Sequence, residues 1–151
     1  AGLGGYAAYA VAMQQPQLYP DEKQELELLS QRAEGTAVYA MSTESLYTPW
    51  VYAFSGLTTV DPGYLSWNRW DYPMWREFWY GQSDARRHEL LAMYDRPLYI
   101  FVGKRVPDTV RYKRFIKQDP RFVHMSPHIW YYDPRVVTSA EIQAMYDQEH
   151  N

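Results

Sequence analysis

Two short apolar runs, each followed closely by a helix start, constrain the fold of this chain most strongly. Residues 97–102 read PLYIFV and are followed by Gly103, a pattern typical of a buried strand. Residues 36–41 read TAVYAM and have the same compact apolar character. Because predicted helices alternate with these runs, the sequence predicts an α/β fold, a small three-layer sandwich with a short, mostly parallel sheet.

Helix signals flank both runs. An early proline and two acids at positions 20–22 predict a helix over residues 21–34. Thr138 and Glu141 have the spacing of a capping box before the last helix. Further helices are expected within residues 46–55, 74–80, 84–95, after Pro107, and over 139–149. Short strands at 122–125 and 129–132 flank Ser126-Pro127 as a hairpin or one bent edge.

A length of 151 residues indicates one folded domain. We expect residues 20–151 to form this α/β domain, preceded by an apolar lead-in and linker over residues 1–19, which carry no charged side chain. Two interpretations of the lead-in stay open. It is either the end of a transmembrane helix or a short buried helix rich in Gly and Ala.

Composition and motifs exclude several classes of site. The chain has no cysteine, which removes disulfides, a thiol nucleophile and thiolate metal ligands. Proteins that bind nucleic acid usually carry a clustered basic surface, and the net charge of this chain is −3. No nucleic-acid partner is therefore predicted. There is no GxSxG, no GxGxxG after a strand and no GxxxxGK[ST]. Pro127 prevents a helical zinc pair between His124 and His128, so neither metal nor cofactor is predicted.

The densest group of candidate binding residues lies in residues 56–80, GLTTVDPGYLSWNRWDYPMWREFWY, called here the aromatic stretch. Eight aromatic rings fall within residues 64–80, interleaved with acids, arginines and an asparagine. We expect a loop over 57–72, a long aromatic-rich insertion that folds over the strand ends. Tryptophan faces stack on sugars while polar side chains bond hydroxyls. The predicted ligand contacts are Trp67, Asn68, Arg69, Trp70 and Asp71. The alternative is that these rings complete the core.

A second group of candidates lies where the predicted strands end, because open α/β sheets bind ligands beyond the carboxyl ends of their strands. Ser42 and Glu44 follow the first run, and Lys104 and Arg105 follow the second. Helix capping is the alternative role for Ser42 and Glu44. Residues 104–117 carry six basic side chains against one acid. This segment is either a solvated helix face or a surface that attracts phosphate or anionic lipid heads.

Several short motifs, in their order along the chain, resemble a known family. After an apolar segment, a helix and a strand come Ser-Gly-Leu-Thr-Thr at 55–59, a Trp-rich stretch, RPLYIFVG at 96–103 and YKRF at 112–115. This order is similar to the extracytoplasmic C-terminal region of polytopic membrane glycosyltransferases of the GT-C type and their uncharacterised relatives. The resemblance spans residues 20–135.

The resemblance implies a setting and a role. The domain would lie on the extracytoplasmic face of the cell membrane, within a multi-pass protein that transfers sugar from a polyprenyl-phosphate donor. The family's catalytic acid lies in an early loop between transmembrane helices, which is not in this chain, so no catalytic residue is carried over. The domain would assist transfer by binding the acceptor or the glycan.

Two other functions stay open on the residues alone. One is a stand-alone carbohydrate- or protein-binding module that uses the aromatic stretch. The other is a small hydrolase or transferase at the strand ends, with Glu44, Asp61 or His88 as reactive groups. Asp71 and Glu77 are further acids that could join a carboxylate pair. Otherwise, His88 is expected on a solvated helix face.

Overall fold

The computed structural model describes residues 18–33, 35–62 and 69–151. Across these ranges the chain forms a five-stranded sheet and six α-helices. The helices are α1 (Pro20–Arg32), α2 (Thr48–Ser55), α3 (Tyr72–Tyr80), α4 (Asp84–Leu91), α5 (Arg111–Gln118) and α6 (Ser139–Glu149). The strands are β1 (Tyr39–Ser42), β2 (Thr59–Val60), β3 (Leu98–Phe101), β4 (Val123–Ser126) and β5 (Ile129–Tyr132). A short 3-10 helix, Pro134–Val136, precedes α6.

The sheet has the strand order β2-β1-β3-β5-β4. β1 runs parallel to β2 and β3, whereas β5 runs antiparallel to β3 and β4. The predicted α/β class is therefore confirmed, but the sheet is mixed and not mostly parallel. Only Pro127 and His128 separate β4 from β5. Such a short connection makes the two strands antiparallel neighbours, which confirms the hairpin interpretation of this region.

Helices cover both faces of the sheet. On one face, Tyr132 of β5 lies 5.7 Å from the His88 ring of α4, measured between ring centroids. On the other face, Phe101 of β3 lies 5.3 Å from Tyr47, directly before α2. Leu98, the partner of Tyr132, and Phe101 are three residues apart on β3, so they point to opposite faces. α1 packs on α2, while α3 and α6 pack on α4.

Most helix starts follow the capping chemistry of the sequence. Asp71, Ser83 and Thr138 each accept a hydrogen bond from a first-turn N–H of α3, α4 and α6, respectively. Two helices are shorter than predicted. α4 ends before residue 95 because the Tyr94 N–H donates to the Leu91 carbonyl, which tightens the chain into a turn. The Val110 N–H likewise donates to the Pro107 carbonyl, which makes residues 107–110 a turn. α5 therefore begins only after them.

A short strand interrupts the loop predicted over residues 57–72. Thr59 of β2 lies opposite Ala40 of β1, and the Ala40 N–H donates to the Thr58 carbonyl over 3.0 Å. The loop prediction is therefore wrong at this point. A strand of two residues is too short to show the alternation by which a strand is recognised in a sequence.

The later part of the aromatic stretch lies in the hydrophobic core. Trp70, Trp75 and Phe78 are 2%, 1% and 0% exposed. The Trp70 ring lies 4.6 Å from that of Trp75 and 5.1 Å from that of Phe78, in edge-on and tilted arrangements that aromatic pairs prefer. These rings fill space between α3 and the neighbouring elements, which supports the interpretation that they complete the core.

The predicted lead-in over residues 1–19 falls, up to residue 17, outside the described residues. Both interpretations of it therefore stay predictions. Within residues 18–33, 35–62 and 69–151, no helix has both the length and the apolar character needed to cross a bilayer.

Candidate functional site

The carboxyl ends of β1 and β3 meet at one edge of the sheet, as the sequence predicts for parallel neighbours. Ser42 is buried at the end of β1, and its hydroxyl donates to the Glu44 carbonyl over 2.8 Å. The Glu44 carboxylate accepts a 2.6 Å hydrogen bond from the Tyr112 hydroxyl of α5. Burial, followed by this contact with Glu44, raises the pKa of Tyr112 far above its ordinary value. Ser42 and Glu44 thus connect the β1 end to α5.

Two buried side chains accept hydrogen bonds from backbone N–H groups of the turn after β3. The Glu22 carboxylate, 0% exposed, accepts from the Lys104 N–H over 2.8 Å. The Tyr47 hydroxyl accepts from the Arg105 N–H over 3.0 Å. Burial raises the pKa of Tyr47 to about 12. These bonds fix the backbone of the turn and leave the Lys104 and Arg105 side chains at the surface.

Glycine is required at the start of this turn. A Cβ at Gly103 would lie 2.3 Å from Cζ of the Tyr47 ring, far inside van der Waals contact. The absent side chain therefore lets Tyr47 reach the Arg105 N–H. Arg105 in turn places its guanidinium 4.9 Å from the centroid of the Tyr19 ring.

A cleft of about 420 Å³ opens beside this turn, between the β3 end, α5 and the β4–β5 connection. We call it the basic cleft. Apolar groups including Val102, Val106 and Trp130 form part of its wall. Its charged and titratable lining consists of Lys104, Lys113, Lys117, His128 and Asp108. The lining therefore holds three ammonium groups and one imidazole against one carboxylate.

The ammonium groups of α5 share a single carboxylate. Lys113 Nζ lies 2.7 Å from the Val106 carbonyl oxygen and 3.0 Å from Asp108 Oδ1. Lys117 Nζ lies 3.4 Å from the same Asp108 oxygen. The two lysines hold the pKa of Asp108 below its ordinary value. One negative charge cannot neutralise two positive ones, so positive charge is in excess on this wall.

Lys104 stands at the opposite side of the turn. Its Nζ lies 2.6 Å from Asp21 Oδ2 and 4.8 Å from the centroid of the Tyr19 ring. Its side chain is 42% exposed, so solvent weakens the pair with Asp21. Lys104 can therefore turn its ammonium toward a ligand at little energetic cost.

His128 and Glu25 form a pair at the edge of the basic cleft. His128 Nδ1 is hydrogen-bonded to Glu25 Oε2, while Glu25 Oε1 accepts from the His128 N–H over 2.8 Å and from the Ser126 hydroxyl over 2.6 Å. Burial opposes ionisation of Glu25, but the hydrogen bonds from His128 and Ser126 lower its pKa. Glu25 is thus a carboxylate that holds one edge of the imidazole.

The predicted sugar contacts of the aromatic stretch are placed differently. Trp67 and Asn68 lie outside the described residues. Trp70 is a core side chain with no exposed ring face, and its Nε1 donates to the Leu90 carbonyl over 2.9 Å. Asp71 caps α3, and Arg69 Nη1 donates to the Met93 carbonyl. The structure therefore does not bring Arg69, Trp70 and Asp71 to the basic cleft, whose lining includes none of them.

A side chain of the stretch does reach the strand ends. Trp79 Nε1 donates to the Thr43 carbonyl over 2.8 Å, just beyond β1. Among the described rings of the stretch, the most exposed are Tyr72 and Tyr80, at 67% and 70%. The sequence predicts this contact of the stretch with the β1 end, but not which of its rings remain exposed.

Other candidate reactive groups are occupied by structural contacts. His88 is fully buried, with both ring nitrogens hydrogen-bonded, so its expected place on a solvated helix face is wrong. Asp61 is also fully buried, and Glu77 forms an ion pair of 2.6 Å with Arg86. In the part of the chain that the structure describes, no three His, Asp or Glu side chains group as metal ligands.

Sequence reasoning missed the pairing of Glu25 with His128. The two residues are 103 positions apart and belong to α1 and to the β4–β5 connection. A carboxylate on a helix and a histidine next to a proline give no local signal of contact. Only the placement of α1 against the sheet brings them together.

Comparison with known protein families, curated proteins and solved structures finds no match to this chain. The function is therefore inferred from the basic cleft and its surroundings.

Proposed function

We propose that this domain binds a phosphate-bearing ligand in the basic cleft. The observation that carries the proposal is the excess of positive charge on the α5 wall, where Lys113 and Lys117 share the single carboxylate of Asp108, in a concave site with apolar groups beside it. Ammonium groups form strong hydrogen bonds with phosphate oxygens, and positive charge in a cleft raises the local concentration of anions. The apolar wall would contact the group that carries the phosphate.

Lys113 is the fixed element of this site. Its side chain is 10% exposed, so it has lost most of its hydration, and its known partners are Val106 and the exposed carboxylate of Asp108. An incompletely compensated ammonium binds an incoming anion more strongly than a fully hydrated one does. Lys117, 47% exposed, can complete the contact by a change of rotamer.

The family resemblance suggests which phosphate this is. We propose that the domain is the extracytoplasmic part of a multi-pass membrane protein related to GT-C glycosyltransferases. The ligand would be a polyprenyl-phosphate-linked sugar, held by its phosphate while another part of the protein supplies the catalytic acid. Apolar contacts beside the phosphate would suit the first isoprene units. Support for the membrane setting comes from the sequence motifs, and support for the phosphate comes from the cleft.

The test is calorimetric titration of the whole chain with a short-chain isoprenyl phosphate that carries one sugar. Lys117→Ala should weaken binding about tenfold, and Lys104→Ala combined with Lys117→Ala should weaken it further, since each tenfold step corresponds to about 1.4 kcal/mol. Lys23→Ala is the matched control, because Lys23 is an exposed lysine of α1 in an ion pair with Glu27. Equal losses in the control, or no binding by the wild type, would refute the proposal.

Three comparison ligands identify the source of the phosphate. Inorganic phosphate tests the headgroup alone. Phosphatidylcholine vesicles with and without phosphatidylglycerol test attraction to an anionic membrane surface. If the isoprenyl phosphate with its sugar binds more tightly than inorganic phosphate and more tightly than the vesicles, the result supports a lipid-linked sugar as the ligand. A neutral oligosaccharide bound equally by wild type and lysine variants would instead favour a carbohydrate-binding module.

A further inference from the structure

The two ring nitrogens of His128 have different surroundings. Nδ1 is hydrogen-bonded to Glu25 Oε2 on the α1 side. Nε2 makes no hydrogen bond to any residue in the described ranges, and His128 is one of the residues that line the basic cleft, together with Lys104 and Trp130. The imidazole is thus fixed at one edge and free to bond at the other, and its side chain is only 12% exposed.

We propose that His128 contacts the bound anion through Nε2, that Glu25 positions it, and that the anion therefore binds together with a proton. This inference rests on the proposed anion-binding function of the basic cleft. It adds a specific ligand contact and a pH dependence to that function.

The hydrogen bond to Glu25 determines what Nε2 offers. A carboxylate accepts only, so Nδ1 must carry a proton, and in the neutral ring Nε2 is left with its lone pair. A lone pair repels the oxygen atoms of an anion. Protonation of Nε2 converts it into a donor and gives the ring a positive charge that Glu25 stabilises directly. Anion binding and proton binding at Nε2 therefore favour each other, and this coupling is reciprocal.

The charges around His128 determine when the proton is taken up. From α1, the Glu25 carboxylate bonds the ring directly, and the carboxylates of Asp21 and Glu22 bond Lys104. From the turn after β3 and from α5 the facing groups are Lys104, Asp108, Lys113 and Lys117. Because these four carboxylates and three lysines nearly balance, a bound anion makes the surroundings of His128 more negative and so favours protonation of its ring.

The test uses sulfate, which stays fully ionised near neutral pH and so exchanges no proton itself. Calorimetric titration of the wild-type chain at pH 7, in buffers of different ionisation enthalpy, should show net proton uptake for each sulfate bound. Affinity should fall about three- to tenfold between pH 6 and pH 8. His128→Gln should abolish the uptake and flatten the pH profile, and Glu25→Gln should reduce both. His150→Gln, at an exposed position directly after α6, should behave as the wild type.

A measurement on the unmodified chain avoids any effect of substitution on folding. The ring protons of His128 are followed by NMR through a pH titration with and without sulfate. The midpoint for His128 should move to higher pH with sulfate, while the midpoint for His150 should stay constant. Sulfate binding without proton uptake and without this movement overturns the role of His128 but leaves the anion site intact. No sulfate or phosphate binding at any pH overturns the anion site as well.

Discussion

Two histidine–carboxylate pairs lie within the described part of the chain, and they differ in how many ring nitrogens are used. His88 Nδ1 lies 2.8 Å from the Tyr132 hydroxyl, and Nε2 lies 2.7 Å from Asp119 Oδ2. His128, a lining residue of the basic cleft, uses Nδ1 for Glu25, and its Nε2 has no hydrogen-bond partner among the described residues. A histidine with both nitrogens satisfied has no capacity left for a ligand, whereas one with a single anchor is oriented and still available.

The His88 pair is part of a longer chain of contacts. Arg121 lies 3.2 Å from Asp119 and 3.2 Å from Glu141 of α6, so the network joins α4, β5 and α6. Phe115 packs edge-on against the His88 ring at 4.9 Å. This pair therefore stabilises the packing of three elements. The pair at the cleft makes few such connections, which predicts that the two pairs respond very differently to substitution.

The largest effect should follow from removing the aromatic enclosure of the His88 pair. Phe122, 6% exposed, stacks on Tyr132 with centroids 4.5 Å apart. Phe122→Ala should lower the free energy of unfolding by about 3–5 kcal/mol, because it leaves a cavity beside a buried polar group. Urea denaturation measures the loss. Val123→Ala is the matched control, since Val123 is 51% exposed and should change stability by less than about 0.5 kcal/mol. Equal effects would show that this layer is not core.

Removal of the histidines compares the two pairs directly. His88→Ala should cost about 3 kcal/mol, since it leaves the Tyr132 hydroxyl and Asp119 without their buried partner. His128→Ala should cost about 1 kcal/mol or less, because Glu25 keeps its bonds to the backbone N–H at 128 and to Ser126. The midpoints of urea denaturation provide the measurement. If His128→Ala were the more destabilising change, the cleft histidine would be structural.

Acid should weaken the His88 pair in a defined pH window. Although burial works against ionisation, the hydrogen bonds from His88 and Arg121 hold the pKa of Asp119 at about 2. An unfolded aspartate has a pKa of about 4, so as pH falls the unfolded chain binds the proton first. The stabilisation is therefore complete above about pH 5 and is lost as pH falls toward 2, amounting to about 2 kcal/mol. Unfolding free energies measured across this range should show the decline. In Asp119→Asn, the contribution of Asp119 to this decline should be absent.

Much of the fold is encoded in local signals, but the roles of the two pairs are not. The capping box at Thr138, the hairpin around Pro127 and the run at 97–102 predict elements at the right places because each depends on neighbouring residues only. The sheet direction at β5 depends on which strand lies beside it, which no local pattern records. The sequence therefore predicts the α/β class and misses the mixed sheet.

The candidate site shows the same limit more strongly. Residue type alone cannot separate an aromatic ring that binds from one that packs, and Trp70 is buried at 2% exposure. Lys104 is a candidate in the sequence because it follows a strong strand, and position after a strand is a local property. Glu25 and His128 are missed because their contact is created by the packing of α1 on the sheet. Tertiary contacts thus decide which of the chemically suitable residues can act.

The smallest effect on stability should come from the cleft lysine that is most exposed. Lys117→Ala removes an exposed pair with Asp108, and such pairs contribute about 0–0.5 kcal/mol, so urea denaturation should barely change. Anion binding should nevertheless weaken, and the remaining affinity should depend less on salt than that of the wild type, because one of the charges that attract the anion is gone. A substitution at the cleft can then weaken anion binding without lowering the free energy of unfolding, whereas a substitution at His88 lowers the free energy of unfolding. A Lys117→Ala chain that unfolds as readily as His88→Ala would contradict this distinction, since the cleft would then be held together by the charges assigned to ligand binding.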